Sequence, residues 1–476
     1  MKRLAAFLFS TALLSGCVST PSTTPSEKEL KSETLGLSAT TAPAIADKWW
    51  TAFGDPQLDT LVDQALAGNP RLAGALARIR EAQSELSATH ALTYPQVTFD
   101  GNETRERFSK NYIIPPPYGG TTQWIGTVQA NLSWSLDFFG KQQSQIDRAE
   151  ATANAAALDA EAARLALAGS VTQAYISLSR AYALADVAGD AVKQRRGVLS
   201  LIGGRYKAGL DTDAARQQAT ALLATAEEDL TRANAVRDMA VHQIAALVGR
   251  GADAYAVTHP KLNDAALALP ATLPADLLAR RADIAASEAR VEAAFAGREV
   301  ARKAFYPDIN LIGLAGWAAI GLGPMFSSSA LQYGAGAAIH LPIFDAGKIR
   351  ADYAGATAGL DEAVANYNAA VIGAVKDTAD AMTELRATED QAGAQKRALD
   401  AANASFSLAI QRYRSGLSPE TNVFDAEDLL LQSRRQSAAL AADTATARVT
   451  LLIAVGGGFD PKNIKTTIAS QDSSHE

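Results

Sequence analysis

The feature that most constrains the fold of this 476-residue chain is an internal repeat that spans most of its length. Three pairs of short stretches keep one offset of 207 positions (411 against 204): GRYKAGLDTD at 204–213 with QRYRSGLSPE at 411–420, FFGK at 138–141 with DAGK at 345–348, and ALVG at 246–249 with IAVG at 453–456. Upstream, Tyr94-Pro95 pairs with Tyr306-Pro307. A repeat this long indicates a duplicated supersecondary unit rather than a short solenoid period.

Each half contains a pattern typical of a long helical hairpin. Residues 140–203 contain no proline, and a strict spacing of seven separates these apolar or small residues: Val171, Leu178, Ala185, Val192 and Leu199. A sustained heptad predicts a coiled-coil helix, which would run roughly 95 Å at 1.5 Å per residue. The second copy, from about Ala346 to Arg414, is equally free of proline. We therefore predict hairpins over about 140–249 and about 346–456, with the RYxxGL motif at each tip.

Before each long helix the apolar period changes from seven to two. In TQWIGTVQANLSWSL at 122–136, and again from Leu331 to Leu341, apolar and polar residues alternate, which predicts strands. A weaker strand precedes each, so strands are expected at about 95–136 and 307–343. If these strands form a membrane barrel, the four strands of one chain cannot close it, and an open edge is costly in lipid. Three chains would supply twelve strands, whereas the eight strands of two chains would leave too narrow a lumen. A trimer is therefore the predicted assembly.

The N-terminus predicts export and lipid attachment. Residues 1–16 have the charge and short apolar run of a signal peptide, and Leu14-Ser15-Gly16-Cys17 resembles the lipobox of bacterial lipoproteins. Cys17 is the sole cysteine, although a plain secretory signal with an incidental cysteine is the alternative. Val18 favours outer-membrane sorting. We predict an acylated Cys17 with a flexible linker over 17–46, and a polar tail over 460–476.

Composition and motifs exclude several function classes. A net charge of -7 argues against a nucleic-acid partner, and one cysteine cannot form a disulfide framework or a cysteine zinc site. The five histidines are scattered along the chain without metal-ligand spacing, and no GxxxxGK loop is present. We therefore expect no enzyme, no metal and no cofactor apart from the lipid on Cys17.

Together these parts resemble the TolC family of outer membrane factors, most closely its NodT-like lipoprotein branch. The resemblance is carried by Cys17, KWWTAFGDPQLDTLV at 48–62, the two Tyr-Pro pairs, DFFGK, FDAGK and the RYxxGL tips. It implies a mixed α+β fold: a homotrimeric α/β-barrel in which a twelve-stranded transmembrane β-barrel continues into a long coiled-coil α-helical barrel. The two repeats would occupy 47–270 and 271–459.

The same resemblance implies a function and partners. The chain would be the outer membrane exit duct of a tripartite efflux or secretion system in a Gram-negative bacterium, lipid-anchored and with a large periplasmic part. It would export small molecules received from an inner-membrane pump of the RND or a similar class through a periplasmic adaptor. The alternative is a periplasmic adaptor lipoprotein, which would carry one hairpin flanked by soluble β-domains. A passive porin would lack the long helices.

The resemblance also assigns roles to the tips. Three chains would present six near-equivalent tips as an adaptor-docking ring formed by Arg205, Tyr206, Gly209, Leu210, Arg412, Tyr413, Gly416 and Leu417. The second tip would close the periplasmic end through Tyr413, Ser418, Asn422 and Asp425. Ser418 and Asn422 replace the arginine and aspartate of some members, so the network of contacts at this gate would contain fewer charged side chains. Arg205 would belong to the outer contact ring alone.

Two simpler interpretations of these residues stay open. The tips could be helix-joining turns in which Gly209 and Gly416 supply a left-handed residue. That interpretation explains the glycines but not the repeated arginine and tyrosine. Asp425 could simply place a favourable negative charge in the first turns of the returning helix.

Overall fold

The computed structural model describes residues 23–30, 35, 45–111, 113–251, 256–263 and 280–459. Cys17, the predicted signal peptide and the predicted polar tail lie outside the described residues. Within the described chain, seven α-helices and four strands follow the order that the repeat predicts.

The first half begins with two short helices and continues into the sheet and a hairpin. Its elements are α1 Pro56–Gly68, α2 Pro70–Ala91, β1 Gln96–Arg107, β2 Thr122–Leu136, α3 Lys141–Lys207 and α4 Asp213–Val248. Local signals set the bounds: the Asp55 carboxylate accepts the N–H of Gln57 at the start of α1, and the Thr212 hydroxyl accepts the N–H of Ala215 at the start of α4.

The second half repeats the helix, strand, strand, long helix and returning helix of the first. Its elements are α5 Ala282–Lys303, β3 Asp308–Ile320, β4 Leu331–His340, α6 Lys348–Arg414 and α7 Thr421–Ala454. The two long helices, α3 and α6, have the same length of 67 residues. α7 is the one described helix whose length and composition would suffice to cross a membrane, but its apolar side chains are largely packed inside the protein.

The four strands form one antiparallel sheet in the order β1-β2-β3-β4. The two halves meet where β2 pairs with β3, with Leu136 opposite Ile309 and Ile125 opposite Ile320. Since β1 pairs only with β2 and β4 only with β3, both outer edges of the sheet are unpaired within the described chain. The duplication has therefore produced one sheet, not two.

The chain divides into two compact units. One unit comprises residues 79–156 and 287–367 with the N-terminal segment up to residue 29, and it contains the whole sheet. The other comprises residues 157–286 and 368–459 with 30–78, in each case where they are described, and it contains both hairpin tips.

Two buried clusters in the second unit position the hairpins. The larger packs Trp50, Leu58 and Tyr175 against the returning helices at Ile244 and Val449. Both tryptophans of the KWWTAF motif belong to this cluster, and the indole of Trp50 is completely buried. The smaller cluster lies at the tips and consists of Val198, Ile202, Ala215, Ala219, Tyr413, Val423 and Phe424. Both tips therefore share one apolar core.

Residues 23–30 differ from the flexible linker that the sequence predicts, because they are held against α5 and α6. Asp361 accepts hydrogen bonds from the backbone of Ser26 and Glu27, and Arg298 donates to the carbonyl of Thr23. We call residues 23–30 the N-terminal strap. Composition alone did not predict its order, since the partners lie more than 270 positions away.

Candidate functional site at the hairpin tips

The first hairpin tip closes with a Schellman motif built by the RYxxGL sequence. The N–H of Leu210 donates to the carbonyl of Arg205 (2.9 Å), and the N–H of Gly209 donates to that of Tyr206 (3.0 Å). Gly209 has φ +73°, a left-handed conformation that favours glycine. The glycine of the motif is therefore required by the turn itself.

The second tip repeats this backbone geometry. The N–H of Leu417 donates to the carbonyl of Arg412 (2.8 Å), the N–H of Gly416 donates to that of Tyr413 (3.0 Å), and Gly416 also has φ +73°. Leu210 and Leu417 are both exposed. The helix-joining interpretation of the glycines agrees with this geometry, and it leaves the side chains of arginine and tyrosine to be explained.

Arg205 of the first tip and Tyr413 of the second lie in contact with each other. Tyr413 is 1% exposed, and its hydroxyl donates a short hydrogen bond to Oδ2 of Asp211. The guanidinium carbon of Arg205 lies 4.7 Å from the centroid of the Tyr413 ring, and its Nε is 3.4 Å from the same Asp211 oxygen. Burial, reinforced by the bond to Asp211, raises the pKa of Tyr413. We call Arg205, Asp211 and Tyr413 the tip clasp.

The other two repeated side chains face solvent. Tyr206 is 41% exposed, with the guanidinium carbon of Arg216 5.4 Å from its ring centroid, and Arg412 is exposed on the second tip. Equivalent positions of the repeat therefore have different environments: arginine is the inward residue in one tip and tyrosine in the other. Arg205, which was predicted for the outer contact ring, therefore contacts the predicted gate residue Tyr413 within one chain.

The three remaining predicted gate residues follow the second tip. Asn422 and Asp425 are exposed on α7, and their side chains make no hydrogen bond within the described residues. The hydroxyl of Ser418 is buried and has no hydrogen-bond partner in the described part of the chain. Within one chain, the structure therefore brings none of these three side chains into the tip clasp.

Asp211 is a clasp residue that the sequence analysis missed. Its position corresponds to Ser418 in the second repeat, at the same offset of 207 (418 against 211). The available signal was an acid in the first tip at the position where the second tip has a serine. Because the residue is not shared by the two tips, the repeat does not mark it.

A second polar group lies close to the tips, where Arg195 of α3 links three helices. Its guanidinium donates to Oδ1 of Asp428 on α7 (2.7 Å) and to the carbonyl of Leu222 on α4 (2.8 Å). Beside it, Glu427 is 1% exposed, and Oε2 of Glu427 lies 3.9 Å from Nε of Arg195. Oε1 of Glu427 has no hydrogen-bond partner among the described residues.

Burial raises the pKa of Glu427 to about 7, with Arg195 opposing the shift and Asp428 adding to it. The sequence analysis did not single out this residue. Its position three or four residues from Val423, Phe424, Leu430 and Leu431 was the available signal, since that spacing places it on the buried face of α7.

The two long hairpins and the single shared sheet can be compared with known proteins. The sequence profile described as "Outer membrane efflux protein" matches residues 61–250 and 273–457, which is most of the chain. This chain belongs to the outer membrane efflux protein family.

Relatives of this outer membrane efflux protein carry names related to export. The fusaric acid resistance protein FusA of Burkholderia cepacia is 36% identical over 361 residues, covering 73% of this chain and 68% of the relative. The pyoverdine export outer membrane protein OpmQ of Pseudomonas putida is 30% identical over 426 residues, covering 88% and 90%.

A solved structure supports the same assignment. The outer membrane protein VceC of Vibrio cholerae superimposes with a TM-score of 0.81 at 31% identity, covering 88% of this efflux protein and 100% of VceC. The predicted TolC-like α/β fold and membership of the outer membrane efflux family are confirmed. The efflux protein is therefore an outer membrane exit duct, as the resemblance to the TolC family implied. Its described residues contain no group of three or more acidic, histidine or cysteine side chains able to hold a metal ion.

Proposed function

We propose that three copies of this chain form one outer membrane channel that serves as the exit duct of a tripartite efflux system. The observation that carries this proposal is the four-stranded sheet with two unpaired edges. Each edge presents a row of backbone donors and acceptors that must be satisfied in lipid. β1 of one copy pairing with β4 of the next would close twelve strands into a barrel.

The side chains of the edge strands support a lipid-facing role. Phe99 on β1 is 73% exposed and Tyr333 on β4 is 80% exposed, and Val97 and Leu331 are exposed beside them. Exposed apolar side chains on both edge strands are costly in water and favourable in a membrane. The channel would thus sit in the outer membrane of a Gram-negative bacterium, with the hairpins extending into the periplasm.

We further propose that a periplasmic adaptor docks on the tips and connects the channel to an inner-membrane pump of the RND or a similar class. The exposed tip residues suited to this contact are Tyr206, Leu210, Arg412 and Leu417. Aromatic and arginine side chains are frequent anchors in protein interfaces. The cargo would be small molecules, as the names of the fusaric acid and pyoverdine relatives imply for those proteins.

The gate would combine the tip clasp with the exposed residues of α7. Tyr413 ties the second tip to Asp211 of the first within one chain, while Asn422 and Asp425 remain available to a neighbouring copy. Opening would then require the clasp to break, so that the second hairpin can move away from the first. In this proposal the protein performs no catalysis and carries no cofactor except a lipid on Cys17.

The proposal is tested by the assembly state and the conductance of the detergent-purified protein. Native mass spectrometry should show a homotrimer, and the trimer should form channels in a planar bilayer. A monomer or dimer as the sole species would refute the shared barrel. A trimer that conducts neither as wild type nor as Tyr413→Phe would contradict the proposed channel.

A further inference from the structure

The apolar face of the four-stranded sheet carries charge at one corner. Residues that lie opposite each other on neighbouring strands share a face, so Phe99 of β1 and Tyr333 of β4 belong to the same face. From β1 to β4 this face is built mainly of apolar and small side chains. Within the four strands its charged residues are Glu103, Arg105 and Arg107, which all lie at one end of β1.

The charged corner lies at the end of the sheet from which no long helix continues. β1 follows α2 at Gln96, and β2 leads into α3 after Leu136, whereas a loop joins the opposite ends of the two strands at Arg107 and Thr122. The inference rests on the proposed function, in which the hairpins of the duct extend into the periplasm. The loop end of the sheet is then at the cell surface.

Two tryptophans on the apolar face of β2 indicate how deep the arginines lie. Trp124 and Trp134 are ten positions apart (134 against 124), which is roughly 33 Å of strand. At the tilt of a membrane barrel this length corresponds to about 25 Å, the height of the apolar band. Arg105 lies opposite Trp124, and Arg107 lies two positions beyond it. Both arginines are therefore at the outer boundary of the band, where the lipid headgroups begin.

The two arginines have hydrogen-bond donors available for a ligand. The guanidinium carbon of Arg105 lies 5.7 Å from the centroid of the Trp124 ring, a cation–π contact. Within the described residues, neither Arg105 nor Arg107 donates a side-chain hydrogen bond or forms an ion pair, even with Glu103 on the same face. Positions 105 and 107 lie about 6.6 Å apart along the strand, so both side chains can reach one phosphate group.

We propose that Arg105 and Arg107, flanked by the indole of Trp124, bind a phosphate group of the glycolipid that forms the outer leaflet of the outer membrane. In lipid A, the anchor of this glycolipid, the phosphates are attached to sugars directly above the acyl chains, which is the level of these arginines. The planar guanidinium donates paired hydrogen bonds to phosphate oxygens. The apolar face carries no charged residue at the helix end of the strands, so the site is specific to the outer leaflet.

Native mass spectrometry of the detergent-purified protein with added lipid A tests the site, because it counts the lipids bound per chain. We expect Arg105→Gln/Arg107→Gln to weaken lipid A binding at least about tenfold, since hydrogen bonds between charged groups are lost. Arg78→Gln/Arg80→Gln is the matched control, because it removes two exposed arginines of α2 with the same spacing and should bind as wild type. Equal affinity of the wild type and Arg105→Gln/Arg107→Gln would overturn the proposal.

Changing the ligand tests the chemistry that the arginines recognise. Dephosphorylated lipid A should bind to the wild type as weakly as lipid A binds to Arg105→Gln/Arg107→Gln. If both lipids bind equally well to the wild type, the arginines only extend towards water and the proposal is wrong. Phosphatidylglycerol binding as tightly as lipid A, or complete displacement of lipid A by excess inorganic phosphate, would equally overturn the assignment to the glycolipid.

A single variant separates the loss of the site from a folding defect. Arg107→Gln changes the last residue of β1 and keeps the contact of Arg105 with Trp124, so we expect intermediate binding of lipid A. Binding of lipid A as in wild type would exclude Arg107 from the site. A trimer that conducts but does not distinguish lipid A from its dephosphorylated form would overturn the glycolipid site and leave the proposed channel intact. A monomer or dimer as the sole species would instead refute the channel.

Discussion

At the scale of single residues, the two tips use the same amino acids for different contacts. Arg205 and Tyr413 face each other across the two hairpins, whereas Tyr206 and Arg412 face solvent. The repeat drew attention to the paired arginines and tyrosines of the tips, but not to Asp211, which has no counterpart in the second tip. It could not predict which copy faces inward, since that depends on how the two hairpins pack around the cluster containing Ile202 and Phe424.

Replacing Tyr413 with phenylalanine isolates the hydroxyl of the tip clasp. The ring and its contact with Arg205 would remain, while the hydrogen bond to Asp211 would be lost at a cost of about 1 kcal/mol. We expect Tyr413→Phe to raise single-channel conductance or open probability in a planar bilayer, with the trimer intact. Tyr206→Phe is the matched control, because that ring is on the exposed side of the first tip. Unchanged conductance in Tyr413→Phe would show that the clasp does not restrain the closed end.

Glu427 predicts a pH dependence of stability. Its pKa in the folded protein is about 7, above the ordinary 4.5, so the folded state keeps a proton that the unfolded state releases as pH rises from about 4.5 to 7. Stability is therefore greatest at low pH and decreases through pH 7, by about 3 kcal/mol in total. Glu427→Gln should remove this loss, giving a higher melting temperature than wild type at pH 8 and a similar one at pH 4.5.

Circular dichroism at 222 nm during heating measures both melting temperatures. Asp390→Asn changes an exposed carboxylate on α6 and should leave the difference between pH 4.5 and 8 as in wild type. If Glu427→Gln is less stable than wild type at pH 8, then the ionised carboxylate is compensated by Arg195, and its burial costs little.

At the scale of elements, periodicity predicted most of the structure. The hairpins were expected from about residues 140 and 346, and the long helices begin at Lys141 and Lys348. The strand pairs also lie where the alternation indicated, although β1 extends through the polar stretch to Arg107. That extension follows from pairing with β2, where Arg107 lies opposite Thr122. The alternation within one segment cannot predict how far a neighbouring strand extends the pairing.

Two glycines at helix ends should differ in their tolerance of a side chain. Gly416 and Gly249 both have positive φ, so alanine is strained at each by about 1 kcal/mol. At Gly416 a β-carbon meets open space, whereas at Gly249 it would lie 2.4 Å from the carbonyl oxygen of Gly68. We expect Gly249→Ala to lower the melting temperature several times more than Gly416→Ala. Equal losses would mean that α1 can shift at no cost.

At the scale of the whole molecule, the repeat followed from stretches that recur along the chain, and the family followed from a resemblance carried by particular motifs. The sequence did not predict the N-terminal strap, whose composition is that of a linker. The strap is held in one conformation by Asp361 and Arg298, and nothing in the sequence around either residue indicates this contact. Long-range contacts made by backbone groups leave no pattern in the segment that supplies them.

The lipid anchor is a prediction about the complete chain. Cys17 is the sole cysteine and follows a sequence that resembles a lipobox, so Cys17→Ser should abolish labelling by a palmitate analogue and slow cleavage after Gly16. Metabolic labelling followed by gel electrophoresis measures both effects. Ser15→Ala keeps a small residue before the cysteine and should label as wild type. If Cys17→Ser carries as much label as the wild type, Cys17 is not the site of lipid attachment.

The unequal environments of the two tips have a consequence for symmetry. In the proposed trimer, tips with an exposed tyrosine at position 206 would alternate with tips with an exposed arginine at position 412, and the ring would have threefold rather than sixfold character. Six identical adaptor subunits bound there would occupy two kinds of site in turn. The adaptors would therefore bind as three pairs of quasi-equivalent subunits, with two affinities instead of one.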